Sequence, residues 1–463
     1  MHLEFIDGNT AISATTRKRI RSHVARGKNA GRRLARPSRL NKAHIHPPTY
    51  FRIPALLQSQ NTKERQEAIC DIERPITSGL IFPVEMEPQT RAIAHKAFDF
   101  IRDLRGAPGL FNIVEEPSAP LIWVQYMFLD AAYFHSVIAT CLWIIPGLIS
   151  EQQRVIEASR HLLRTLHLIN GRLAGANSTS DDTVAAVVGM VHYERHQGQF
   201  ERALIHTRGL KQMVDLRGGV LELGCELARK IFLCDIECSF QLGCEPLFSI
   251  EEVDAVTSST VHSELRCIAA TFCAGLEHLD PCLAMLLRHG MNIALVYNTI
   301  GAGQQPKITY YAHFDLVLSF GYQLLQFSPL QGPRPVSHLD DVIHLGLIIF
   351  FCTFIRRLDR GITDNNLLAR LLGSVAEEVE NDRGTQKALL WALLVSTASI
   401  FQRDIPEWLT VRVATLIQSL GLATWEDTLY LLHQYPWVNA LHDEPARGLW
   451  QKVVPSCDTW LMK

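Results

Sequence analysis

From about residue 88 to the C-terminus, apolar residues recur at three- and four-residue spacing, in segments separated by short Gly, Pro, Asn and Asp breaks. That period puts apolar side chains on one face of successive amphipathic helices and predicts an all-α body. No fixed-period repeat is visible, although a solenoid of worn repeats is also compatible with the pattern. Before residue 88 the pattern changes. Basic residues give way to a stretch rich in Pro and turn formers, "RPSRLNKAHIHPPTYFRIP", with little sustained periodicity. The expected organisation is a basic, mostly irregular N-terminal arm and linker over 1–87, then a large multi-helix domain over 88–463.

Two helices can be read closely. In "FERALIHTRGLKQMVDLRGG" (200–219), Ala203, Leu210, Met213 and Val214, extended by Phe200 and Leu204, mark one face, while Arg202, Arg208, Lys211 and Asp215 lie largely elsewhere. Gly218 and Gly219 should stop it, because glycine past the last turn takes positive φ without a Cβ clash. "LGCELARKIFLCDIECSFQLGCEPLF" (223–248) carries Leu223, Leu227, Ile231, Cys234, Cys238 and Leu242 in helical steps, with Gly243 and Pro246 to end it. Glu226 and Lys230 stand four apart in the favourable order, worth about 0.2–0.5 kcal/mol on an outside face. "SDDTVAA" (180–186) suits a helix N-terminus, where carboxylates meet the positive end of the dipole. The most apolar runs, "VIATCLWIIPGLI" (137–149) and "LGLIIFFCTFI" (345–355), are shorter than the roughly 20 residues that span a bilayer, so they read as buried core and no membrane partner is expected. The first 21 residues lack the apolar region of a signal peptide.

Charge changes the picture. The chain has 463 residues, 47% of them hydrophobic, enough for a sizeable core and for two or three domains at about 150 residues each. Its formal net charge is −2, yet "TTRKRIRSHVARGKNAGRRLARPSRLNK" (15–42) holds eleven Lys and Arg and no acid, which leaves −13 on the remainder. Arg17, Lys18, Arg19, Arg21, Arg26, Lys28, Arg32, Arg33, Arg36 and Arg39 are the candidate contact residues. A cluster this dense can neutralise phosphates without reading bases, or serve as an address for a nuclear import receptor. A solvated tail is the blandest alternative.

Candidate chemistry is sparse. Eleven cysteines, mostly inside apolar helical patterns, look like reduced core thiols, and no C-x-x-C occurs. His192 and His196 could grip a metal across one helical turn, but exposed histidines beside a helix-ending Gly are the more ordinary reading, and no metal or other cofactor is expected. Asp235 could be a buried acid of catalytic type; a structural partner for Lys230, Arg217 or a backbone end is favoured. Trp123, Tyr126, Phe128, Tyr133 and Phe134 could line a ligand pocket and are better read as core. Phosphate loops, nucleophile elbows and dinucleotide fingerprints are missing, so nothing makes a positive case for an enzyme.

Three stretches carry a resemblance: "RKRIRSHVARGKNAGRR" (17–33), "WVQYMFLDAAYFHSVIA" (123–139), and "HTRGLKQMVDLRGG" with "LARKIFLCDIECSFQLGCEPLF" (206–219 and 227–248). Together they resemble the fungal-specific transcription factor family, the helical regulatory region found downstream of six-cysteine binuclear zinc clusters. The resemblance covers much of 90–250, and its most specific part is 206–248. It implies an all-α domain in a nuclear transcriptional regulator, with contacts to a coregulator, another transcription factor or a second copy as a homodimer. His206, Gly209, Leu210, Met213, Arg217, Gly218 and Gly219, then Lys230, Asp235, Gly243 and Pro246, match the family pattern as structural positions. The zinc cluster is missing, with no cysteine before Cys70, so any DNA contact falls to the basic arm. The alternative is a cytosolic helical scaffold, or a small-ligand-binding protein or enzyme.

Overall fold

The computed structural model describes residues 82–103, 109–115, 122–145, 147–257, 278–358, 365–378 and 382–454. Sixteen α-helices and no β-strand occur among them, as the three- and four-residue spacing predicts. In chain order they are α1 (Pro88–Asp103), α2 (Ile122–Leu129), α3 (Ala131–Ile144), α4 (Glu151–Leu173), α5 (Asp181–His196), α6 (Phe200–Arg217), α7 (Cys225–Leu242) and α8 (Ile250–Val256). The second half holds α9 (Pro281–Gly301), α10 (Tyr310–Phe327), α11 (His338–Leu358), α12 (Asn366–Glu378), α13 (Arg383–Ser396), α14 (Glu407–Leu420), α15 (Trp425–Leu432) and α16 (Asn439–Val453).

Most helices start where a short polar side chain can satisfy the open N–H groups of the first turn. Ser180 caps α5 by accepting from the Thr183 N–H at 3.4 Å, with Asp181 and Asp182 in the first turn, so "SDDTVAA" is a helix start. Ser249 and Glu252 form a reciprocal capping box on α8, and Thr424 and Asp427 do so on α15. Asp130 caps α3 through the Tyr133 N–H at 2.7 Å, at the point where α2 and α3 meet at 117°. The same carboxylate takes the Arg172 guanidinium from the end of α4, so one residue fixes both a helix start and a neighbour.

Packing runs mainly between sequence neighbours: α3 on α4 and α5, α5 on α6, α6 on α7, then α10 on α11, and α11 on α12 and α13. The long-range closure is α7 against α10. α11 is the centre of the second half, and every residue from Val342 to Ile355 is buried. Its 18-residue window His338–Ile355 is long and apolar enough to cross a bilayer, but α9, α10, α12 and α13 cover it, as expected of core. α11 and α13 approach closely at Gly346, where an added Cβ would stand 2.2 Å from Cζ3 of Trp391. Trp391 itself is fully buried, stacks on Tyr435 at 5.1 Å and donates from Nε1 to the Pro436 carbonyl at 2.9 Å. The other run is buried from Val137 to Leu142 and then climbs toward the surface, with Trp143 to Ile145 half-buried.

Phe82, inside the stretch read as linker, is buried and stacks on Phe128 at 5.2 Å. Segment 109–115 is tied to the start of α10 by a parallel bridge between Val114 and Ile308 and by Lys307 donating to the Phe111 carbonyl at 2.6 Å. These two contacts bring residues from before α2 onto the body's second half.

Candidate functional site

The ten basic residues singled out in the arm, Arg17 to Arg39, lie outside the described residues, as do Cys70, Cys267, Cys273 and Cys457. What the structure does place is the 206–248 block and the surface around it.

In α6, Ala203, Leu204, Leu210, Met213 and Val214 are buried while Arg202, Arg208 and Asp215 are exposed, so the expected face is the packed one. Gly218 ends the helix at φ +110°, a left-handed conformation that costs glycine nothing and a Cβ-bearing residue a steric clash. Arg217, just before it, donates to the Thr179 carbonyl at 3.1 Å, to the Asp181 carboxylate and to the Glu222 carbonyl. One guanidinium thus joins the C-terminus of α6 to the N-terminus of α5 and to the turn that follows.

Asp235 lies in the middle of α7 and is fully buried. Its oxygens accept from the Leu247 N–H at 2.9 and 3.0 Å, the Phe248 N–H at 3.1 Å and the Tyr322 hydroxyl at 2.8 Å. Of the partners considered for it, the structure gives the backbone end, not Lys230 or Arg217. Burial pushes its carboxyl up to about 6 against the pull of these donors. The residue is a clasp that binds the chain after Gly243 and Pro246 back onto α7, and α10 onto both.

Glu226 and Lys230, expected on an outside face, line a recess instead, because α2 and α10 pack beside that side of α7. Trp123, Arg229, Tyr310, Tyr311 and Phe314 complete the walls of a shallow, solvent-open recess. The Lys230 ammonium sits 5.2 Å from the Trp123 ring centre and the Arg229 guanidinium 5.0 Å from that of Tyr311. Arg229 also grips Asp315 with two bonds, at 2.5 and 2.9 Å, and the Tyr311 hydroxyl donates to Glu226. Burial and the Glu226 carboxylate raise the Tyr311 phenol well above its usual value, so it stays a neutral donor. The recess is thus walled by aromatic faces already engaged with cations. Of the five aromatics weighed as pocket lining, Tyr126, Tyr133 and Phe134 are core, Phe128 is half-buried under Phe82, and Trp123 reaches the recess.

His192 and His196 sit at a helix end as expected, but half-buried rather than exposed. His192 and His196 stand in the last turns of α5, ahead of Gly198, and His192 Nδ1 lies 2.9 Å from the Arg195 guanidinium. No group of three or more His, Cys, Asp or Glu among the described residues is arranged to hold a metal. A pair with no sequence signal is His135 on α3 and His161 on α4, whose Nδ1 atoms meet at 2.8 Å. Burial lowers both imidazoles to about 4, with mutual repulsion adding to the effect on His135. Equally unforeseen is the ion pair of Arg195 on α5 with Glu237 on α7, 2.5 Å apart with each side chain 3% exposed. The only hint was a charge standing inside an apolar helical run. Cys141, Cys234, Cys238 and Cys352 are buried thiols as expected, whereas Cys225 and Cys282, in the first turns of α7 and α9, are exposed.

No protein-family model, no curated protein and no solved structure matches this chain.

Proposed function

We propose that the protein is a nuclear regulator of transcription whose helical body is a regulatory and protein-contact domain of the fungal transcription factor type. The basic arm 15–42 then provides the nuclear import address and a weak, sequence-independent hold on DNA. One observation supports this above the others. The residues that carry the family resemblance between 206 and 248 do packing work in a single α6–turn–α7 unit: Arg217 and Gly218 lock its turn, and Gly243 and Asp235 lock its end. A likeness that fell on scattered surface positions would carry no such meaning; these positions are ones a shared fold would require.

Fluorescence imaging of the tagged full chain tests the reading. The intact protein is expected to concentrate in the nucleus, and deletion of 15–42 to spread it through the cell. A uniform cytoplasmic signal from the intact chain would sink the proposal. The recess around Trp123 and Lys230 is the observation on the side of the alternative, a small-ligand-binding protein. A thermal-shift screen against a metabolite panel, with a compound that both stabilises and is turned over, would establish that reading in its place.

A further inference from the structure

α3 and α4 pack along each other, and a hydrogen bond fixes how they lie: the Thr165 hydroxyl donates to the Ala132 carbonyl at 3.2 Å. Each end of that bond stands about one turn from a histidine, Ala132 three residues before His135 and Thr165 four after His161. The two rings meet between the helices, with Nδ1 against Nδ1 at 2.8 Å and ring centres 5.0 Å apart. His161 is 7% exposed, whereas His135 is half-buried and reaches solvent. Burial lowers both rings to about 4, so neither is cationic at neutral pH. A neutral imidazole carries one proton and offers the lone pair of its other nitrogen. As the pair stands, a single Nδ1–H bridges the rings. Moving that proton to Nε2 leaves two Nδ1 lone pairs in one place, with no charge on either ring.

We propose that His135 and His161 form a two-histidine site for a divalent late transition-metal ion, Cu(II) or Ni(II), bound by both Nδ1 atoms. The separation selects the ion. Adjacent ligands of a square-planar or tetragonal centre with bonds of about 2.0 Å stand about 2.8 Å apart, which is the spacing found. A tetrahedral zinc set needs about 3.3 Å between its nitrogens. The metal lies off the line joining the two atoms, reached by a turn of the His135 ring on its solvent side, and water completes the coordination. Binding shifts one ring proton from Nδ1 to Nε2 and releases none. Besides His161, Arg164 and Asp130 are the charged groups that bear on His135: the arginine opposes a cation there and the acid favours one. Asp130 is already committed to Arg172 and to the Tyr133 N–H, so it acts from a distance and not as a ligand. The bound ion staples α3 to α4. The site is independent of the functional reading above.

Thermal unfolding of the full chain with Cu(II) or Ni(II) tests the site, after accessible thiols are capped with N-ethylmaleimide so that they neither bind nor reduce the metal. At about 100 µM ion the midpoint should rise by about 2 °C, because a ligand held by the folded state stabilises it. Zn(II) should raise it less. The rise should vanish in His161→Phe and in His135→Gln; the second change falls on the half-buried ring and keeps the fold if the first does not. Arg164→Gln removes an exposed cation and should tighten binding about two- to fivefold, a change that a purely structural histidine pair would not produce. A midpoint that rises with neither Cu(II) nor Ni(II) would overturn the proposal. So would a rise that survives in His135→Gln, or one as large with Zn(II) as with Cu(II).

Discussion

Asp235 is held in the core by hydrogen-bond donors rather than by a cation, and that decides what its loss would do. Asp235→Ala leaves the Leu247 and Phe248 N–H groups and the Tyr322 hydroxyl without their acceptor in a site that excludes water. Unsatisfied buried donors cost about 1–3 kcal/mol each, and partial relaxation should bring the total to about 3 kcal/mol, read as a lower urea midpoint. The charge state of the same group has a pH signature. Its folded value of about 6 exceeds the roughly 3.9 of an unfolded Asp, so the native state binds more protons between these limits. Its contribution to stability accordingly falls as pH rises from about 4 to 6, and the difference between parent and Asp235→Asn should show that slope. His135 and His161 behave in the opposite sense. Their folded values near 4 lie below the roughly 6.5 of unfolded His, so the unfolded chain takes up the extra protons and stability is lost as pH drops through that window. Replacing His161 by Phe should flatten this acid limb in unfolding curves; an unchanged limb would remove the pair as its source.

At the scale of elements, α11 and α13 depend on a missing side chain. Gly346→Ala puts a methyl group into the Trp391 ring, and overpacking of this kind costs about 1–3 kcal/mol. The variant should unfold earlier and show altered tryptophan fluorescence, because Trp391 would have to leave its stack on Tyr435. Periodicity foretold much at this scale: the packed face of α6, the glycine stops at 218 and 243, the acidic start of α5, and the burial of 345–355. It succeeded because each of those features is local, written within a turn or two of helix. The ties between helices were not legible. His135 meets His161 across 26 residues, and Arg229 meets Asp315 across 86, and nothing in either segment names the other. The recess was missed for the same reason: Glu226 and Lys230 look like an exposed pair until α2 and α10 are seen to pack beside them. Asp235 was half legible, since a carboxylate inside an apolar run must have partners, but only the fold shows that these are backbone amides.

For the whole molecule, the decisive property is the separation of charge. With eleven cationic residues in 15–42 and −13 on everything else, the cationic charge is concentrated in the arm, which is where a polyanion would be attracted most strongly. If DNA is held through about 6 to 10 phosphate contacts, affinity should fall by roughly 10³ to 10⁵ between 50 and 200 mM salt, and a chain lacking 15–42 should not bind even at the lower concentration. Fluorescence anisotropy on duplexes of unrelated sequence measures both, and a salt-independent affinity would count against the arm as the contact. The order of helices along the chain has a consequence of another kind. α11 ends at Leu358 and α13, which covers it, begins only at Arg383, so a ribosome adding about 5–20 residues per second delivers the shield one to several seconds after the segment it protects. During that interval the nascent chain presents a stretch that chaperones, or the machinery that recognises membrane spans, would read as a client.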